Sequence, residues 1–122
     1  MSVKDVRVLI VEDEAIIAMT AEDMLQELGC DVVAIASTLA EAEAAVSRGG
    51  FDVVLLDINL NGVASLPVAA QLDAAGLPFI FTTGYGAGGR DSRYERVPLV
   101  TKPYQPKDLA DAIARALADG PG

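Results

Sequence analysis

Asp57 closes the apolar run Val53-Val54-Leu55-Leu56, and Glu12-Asp13-Glu14 follows a second run, Val8-Leu9-Ile10-Val11. Four consecutive aliphatic residues read as a strand buried on both faces, as in a parallel sheet. An acid at the carboxyl end of such a strand lies where open α/β sheets place their chemistry. Two buried strands that deliver carboxylates to one end oppose stability, and so point to a bound cation. Two more runs lead to polar groups: Phe79-Ile80-Phe81-Thr82 to Thr83, and Leu99-Val100-Thr101 to Lys102-Pro103. Singly, Asp57 reads as a turn or cap residue, Thr83 as an ordinary strand end and Lys102 as a solvated loop lysine. Glu12-Asp13-Glu14 reads as the acidic start of a helix. Their meaning comes from falling together at one edge of a sheet.

The elements that must hold them there follow from hydrophobic period. Strands are predicted at about Arg7 to Val11, Val32 to Ala36, Val53 to Leu56, Phe79 to Thr82 and Leu99 to Thr101. After the first strand, Ile17, Ala21, Met24, Leu25 and Leu28 form one helical face that stops at Gly29. Thr38-Leu39-Ala40-Glu41 is a capping-box pattern that opens a second helix, with Leu39, Ala42 and Val46 inward and Gly49-Gly50 as its end. A third helix spans about Ser65 to Ala75, with Val68, Ala69 and Leu72 inward, Pro67 in its first turn and Gly76 closing it. The last helix starts at Pro106, with Leu109, Ile113, Ala116 and Leu117 inward. Between the fourth and fifth strands, Gly84-Tyr85-Gly86-Ala87-Gly88-Gly89 and the polar residues to Arg96 predict a short, frayed or mobile fourth helix.

Alternating β and α elements argue for an α/β fold with right-handed crossovers. Five such units match a flavodoxin-like (βα)5 doubly wound parallel sheet in the order 2-1-3-4-5. Strands one and three are then neighbours about 4.8 Å apart, which brings Asp13 and Asp57 to one crevice.

Composition narrows the function. The chain has 122 residues, enough for one domain spanning 1–122 with no output domain. It carries a formal charge of −9 and no His, which excludes His-based catalysis and His-ligated zinc. Its nine Lys and Arg are scattered, so a basic face for nucleic acid is absent. No apolar stretch is long enough to span a membrane, and the N-terminal residues lack a signal-peptide core. A cytoplasmic location is expected. Cys30 stands alone without an activating base and reads as structural.

Two rival motifs fail on context. Asp57-Ile58-Asn59-Leu60-Asn61-Gly62 matches the first half of an EF-hand loop, but Val68 stands where its final Glu is needed, and a strand precedes it. Gly84, Gly86 and Gly89 match G-x-G-x-x-G, but in the fourth unit rather than the first, with polar residues following.

Glu12-Asp13, Asp57, Thr83 and Lys102-Pro103, each at a strand end, resemble the receiver domains of bacterial two-component response regulators (CheY-like domains). Phe81-Thr82-Thr83-Gly84-Tyr85 is similar to the segment that gives the FAT GUY receivers their name, Phe-Ala-Thr-Gly-aromatic, with Thr82 in place of Ala. The resemblance implies that Asp57 accepts a phosphoryl group from a kinase phosphohistidine; carboxylates are known nucleophiles of this kind. It implies Mg²⁺ held by Asp13, Asp57 and the Asn59 backbone carbonyl, with Glu12 acting through a metal-bound water. Lys102 would neutralise one phosphoryl oxygen, and Thr83 would donate its hydroxyl to another and move inward. The Asn59 side chain would tune attack by water. A cis Lys102-Pro103 bond is implied as well.

The chain departs from the family at Leu99, where most receivers carry a switching aromatic. Tyr104 is the nearest aromatic, and Thr83, Gly84, Tyr85, Leu99 and Tyr104 are the switch candidates. Phosphorylation would then order Gly84 to Arg96 rather than turn an aromatic ring. The expected protein is a single-domain regulator without an external metabolite substrate. It takes its phosphoryl group from a sensor histidine kinase, of the HWE type by subfamily likeness, or from a phosphotransfer protein. It signals by protein contact through its fourth helix, fifth strand and fifth helix, or drains a kinase as a phosphate sink. A phosphorylation-independent adaptor is the alternative. A phosphatase of the HAD type would want a second Asp where Asn59 stands.

Overall fold

The computed structural model describes residues 3–84 and 92–119. The elements are β1 (Arg7–Val11), α1 (Ala15–Glu27), β2 (Asp31–Ala36), α2 (Leu39–Arg48), β3 (Val53–Asp57), β4 (Asn59–Leu60), β5 (Val63–Ala64), α3 (Leu66–Ala75), β6 (Phe79–Thr83), a 3-10 turn (Ser92–Tyr94), β7 (Leu99–Thr101) and α4 (Pro106–Asp119). The main sheet runs β2-β1-β3-β6-β7, all parallel. Counting only its own strands, this is the 2-1-3-4-5 order of the flavodoxin-like fold. Among the described residues no helix is long and apolar enough to cross a membrane.

The aliphatic runs behave as their pattern requires. Every residue of β3 and β6 is buried, because helices cover both faces of the sheet. Successive side chains alternate between two cores. Leu9, Val54, Leu56, Phe79 and Phe81 face α2 and α3. Ile10, Val53, Leu55, Ile80 and Val100 face α1 and α4. The expected helical faces are buried at Ala21, Leu25, Val68, Ala69, Leu72, Leu109, Ile113 and Ala116. Leu117 is a correction: it is 38% exposed. It lies about 80° round the helix from Leu109, at the margin of the stripe rather than within it.

Two features escape the periodicity. A two-residue-per-strand hairpin, β4–β5, follows Asp57 directly. Asn61 and Gly62 form its tip, both with positive φ (53° and 82°), the backbone that Asn-Gly hairpins favour. The second concerns the segment expected as a frayed fourth helix. Residues 85–91, including Tyr85, lie outside the described residues. Beyond them Ser92–Tyr94 is a 3-10 turn, and Tyr94 is buried against Phe79 and Phe81, with ring centroids 5.9 and 5.8 Å away in edge-to-face geometry. One anchored ring closes the core here without an amphipathic stripe.

The register that delivers the site is set at the opposite end of the sheet. Asp52, just before β3, accepts from the Arg7 backbone N–H at 2.8 Å and from the Arg7 guanidinium at 3.1 and 3.3 Å. The Asp52 N–H donates to the Arg7 carbonyl at 2.8 Å. This fork pins the starts of β1 and β3 together, and Val11 then pairs with Leu56. Glu12 is thereby carried alongside Asp57.

Two outcomes are expected. Tyr94→Ala should lower unfolding stability by about 3 kcal/mol, the cost of deleting a buried aromatic ring, read by urea denaturation; a loss under about 1 kcal/mol would mean the ring is not an anchor. The Arg7 side-chain hydrogen bond, then its backbone N–H, hold Asp52 below the usual carboxylate range. A depressed folded value stabilises the fold above the unfolded value of about 3.9, and that contribution is lost as pH falls through the folded value. The Tm of the wild type should therefore exceed that of Asp52→Asn at neutral pH, and the gap should close in acid; a gap that persists unchanged at pH 2 contradicts this.

Candidate functional site

Glu12, Asp13, Asp57, Thr83 and Lys102 meet at the carboxyl edge of the sheet. Asp57 is the last residue of β3, Thr83 the last of β6, and Lys102 follows β7 directly. Glu12 continues β1 by donating its N–H to the Ala36 carbonyl at 2.9 Å. Lys102 is held by its own N–H on the Thr83 carbonyl at 2.9 Å, and its peptide bond to Pro103 is cis.

The Lys102 ammonium lies between two buried carboxylates. Nζ is 2.8 Å from Asp57 Oδ2 and 2.6 Å from Glu12 Oε1. The Asp57 contact is an aligned hydrogen bond. The Glu12 contact is an ion pair in which no donor is aligned with buried Oε1. Burial opposes the Lys102 charge, but the hydrogen bond to Asp57 and the attraction of Asp57 and Glu12 outweigh it and raise its pKa. Glu12, 2% exposed, is pushed up to about 7, first by burial, with Lys102 and the Glu14 N–H pulling the other way. Burial would raise Asp13 too, but hydrogen bonds from Glu12 and the Asn61 N–H hold it below the usual range.

One ammonium faces three carboxylates. An oxygen from each of Glu12, Asp13 and Asp57 lies within 4.8 Å of the others. The excess of hard oxygen donors, and the unaligned Oε1 among them, suit a hard divalent cation.

The hairpin completes the rim. The Asn61 N–H donates to Asp13 Oδ2 at 3.0 Å, and the Asn59 N–H to Asp57 Oδ1 at 3.2 Å. Asn59 Oδ1 accepts from the Gly62 N–H at 2.8 Å, so its side chain braces the hairpin. Asn61 was not among the expected site residues; the Asn-Gly pair that signals its turn sits inside a false EF-hand match. Asp13, Asp57, Asn59 and Gly62 border a cleft of about 910 Å³ that also reaches Ile17, Met24 and Pro103.

The switch candidates divide between the layers. Gly84 is exposed at the cleft. Leu99 packs in the core with Tyr94, whereas Tyr104 packs in the opposite core with Ile80 and Val100. Tyr104 therefore does not occupy the layer of the missing aromatic; Tyr94 does. Burial of the Tyr104 hydroxyl pushes its pKa to about 12.

Comparison with known proteins agrees with this geometry. Residues 8–114 match the response regulator receiver domain. The chain is 35% identical to the phyllosphere-induced regulator PhyR of Methylorubrum extorquens over 90% of its length, and 35% identical to the sensory transduction protein RegX3 of Mycolicibacterium smegmatis over 93%. It covers 43% and 51% of those proteins, so it spans about half the length of the curated relatives it matches. The solution structure of SdrG from Sphingomonas melonis Fr1 superposes with a TM-score of 0.84 at 42% identity, covering 96% of this chain and 99% of that one. The sequence match, the parallel sheet and the acidic edge agree: the chain belongs to the response regulator receiver domain family of two-component systems.

Proposed function

We propose that the chain is a phosphoryl-accepting signalling module in which Asp57 is the acceptor and a histidine kinase or phosphotransfer protein the donor. The observation that carries this reading is the Lys102 ammonium held on buried Asp57 at 2.8 Å beside two further carboxylates. A structural role alone would not require three acids around one ammonium. The BeF3-activated conformation of SdrG, from a protein 42% identical, lends support because that anion mimics a phosphoryl group.

In the proposed reaction an Asp57 carboxylate oxygen attacks phosphorus in line, the P–N bond of the donor breaks, and the imidazole leaves. Asp13, Asp57 and the Asn59 carbonyl would hold Mg²⁺, with Glu12 acting through a water, and the ion would supply positive charge against the phosphoryl oxygens. Lys102 sits on Asp57 Oδ2 before transfer and is placed to follow the new charge to a phosphoryl oxygen. Thr83 lies at the end of the adjacent strand, with its hydroxyl as the donor to another. The Asp57 and Asn61 neighbourhood is ordered by backbone N–H groups, so the acceptor is positioned before the donor arrives. Output is by protein contact, and the protein acts on no external metabolite. A role as a relay or as a sink is compatible with the same chemistry.

Three measurements test this. Intact mass after incubation with acetyl phosphate and Mg²⁺ should show one added phosphoryl group on the wild type and none on Asp57→Asn; equal labelling of both would move the acceptor elsewhere. Lys102→Ala should slow labelling by about 100-fold, the usual cost of removing one preorganised charge donor. Mg²⁺ at ten times its Kd should stabilise the fold by about 1.4 kcal/mol, and Asp57→Asn should reduce that gain. No Mg²⁺-dependent rise in Tm at millimolar metal would remove the metal site.

A further inference from the structure

We infer that the Asn59 side chain is a positioning residue: by bracing the β4–β5 hairpin it keeps the Asn61 N–H on Asp13, and this restraint makes the acidic edge prefer Mg²⁺ to Ca²⁺. The preference rests on the proposed metal site; the brace itself does not.

The base of the hairpin is fixed by the core. Leu60 is buried in the layer of α2 and α3. The Ile58 N–H donates to the Thr82 carbonyl at 3.0 Å, and the Ile58 carbonyl accepts from the Ser65 N–H at 2.9 Å. The tip is different. Asn61 and Gly62 are exposed, and both have positive φ, a backbone that costs any residue with a Cβ and Asn less than most. Side chains hold the tip in place. Asn59 Oδ1 accepts from the Gly62 N–H at 2.8 Å. Asn61 Nδ2 donates to the Ser37 carbonyl at 3.4 Å. Ser37 is tied in turn to Glu41, its N–H and hydroxyl donating to Oε1 at 2.9 and 3.0 Å. Held in this way, the Asn61 N–H reaches Asp13 Oδ2 at 3.0 Å, across 48 residues of chain.

The brace bears on what the edge can bind. Three of the four aspartate oxygens there already accept a donor: Asp13 Oδ2 from Asn61, Asp57 Oδ1 from Asn59 and Asp57 Oδ2 from Lys102. A carboxylate pinned through one oxygen turns less readily to give both to one ion. Ca²⁺ takes roughly six to eight oxygens and accepts bidentate carboxylates, whereas Mg²⁺ keeps its waters and binds through one or two carboxylates. One-oxygen ligands therefore favour the smaller ion. Releasing Asp13 from Asn61 gives the larger ion access to a second oxygen. The Asn59 side-chain oxygen, turned to the Gly62 N–H, acts on the metal through the hairpin rather than on the phosphoryl group directly.

The test uses Asn59→Ala, which removes the brace, and Gly62→Ala, which strains the tip while leaving Asn59 in place. The double variant and Asn59→Asp, which keeps an oxygen acceptor, complete the set. Positions 59 and 62 are exposed, and a methyl at Gly62 meets nothing within 4 Å, so the variants should keep the fold. Two readouts are taken: hydrogen exchange at the Asn61 amide without metal, relative to Leu56 in the core, and the Kd for Mg²⁺ and for Ca²⁺ by calorimetry. Each single Ala variant should lose about three- to tenfold in Asn61 protection, the size of one hydrogen bond, and a similar factor in preference for Mg²⁺. The double variant should be no worse than the stronger single, and Asn59→Asp should keep wild-type protection. Equal weakening of both cations would leave only a structural role and overturn the proposal. Unchanged Asn61 protection in Asn59→Ala, with an altered phosphoryl lifetime that Gly62→Ala does not share, would also overturn it, in favour of direct action on the attacking water. If the wild type binds neither cation while Asn61 protection responds as expected, the brace stands and the metal site falls, with its preference.

Discussion

The arrangement of this edge of the molecule depends on one ammonium between two buried acids. Lys102 lies within 2.8 Å of Asp57 and 2.6 Å of Glu12, where neither acid could be held charged and buried alone at low cost. It pairs with both acids at once. Its position is therefore a condition for the acids being there at all. The backbone bond to Thr83 and the turn through Pro103 both bear on that one group. In the proposed reading, phosphorylation moves negative charge from Asp57 outward to the phosphoryl oxygens, and Lys102 is the group that feels the difference first.

What could be read from the sequence follows the strength of local signals. Short apolar runs of three or four residues located β1, β3, β6 and β7 to within a residue of their ends, because a buried strand admits little else. The acids and the lysine were legible because they stand immediately beyond those runs. Asn61 was not, because its contribution is a backbone N–H, which no side-chain pattern announces. Tyr94 was not, because a single ring anchored in a core has no period. Thr82 stood out only as a departure from alanine; that it stands opposite Asp57 on one side and Val100 on the other needed the register. Leu117 erred in the other direction: apolar type at a helical spacing does not fix the width of the buried stripe.

The two faces of the sheet do different work. On the face covered by α2 and α3, three aromatic rings, Phe79, Phe81 and Tyr94, pack edge to face, and Leu99 joins their layer. On the face covered by α1 and α4, Tyr104 brings a hydroxyl into a mainly aliphatic core. Leu99 and Tyr104 thus lie back to back across β7 and its following turn, so a change at the acidic edge reaches two cores of different character. The aliphatic–aromatic layer can yield only by repacking, whereas the other carries a buried phenol hydroxyl in an apolar setting.

The Arg7–Asp52 fork gives the sheet an unequal pair of ends. At the amino edge, opposite charges draw β1 and β3 together through three hydrogen bonds from Arg7. At the carboxyl edge, the same two strands end in like charges that push apart unless a cation intervenes. Two strands fastened at one end and repelled at the other behave as tongs. Their hinge is fixed by sequence, and their opening is set by whatever positive charge occupies the tip.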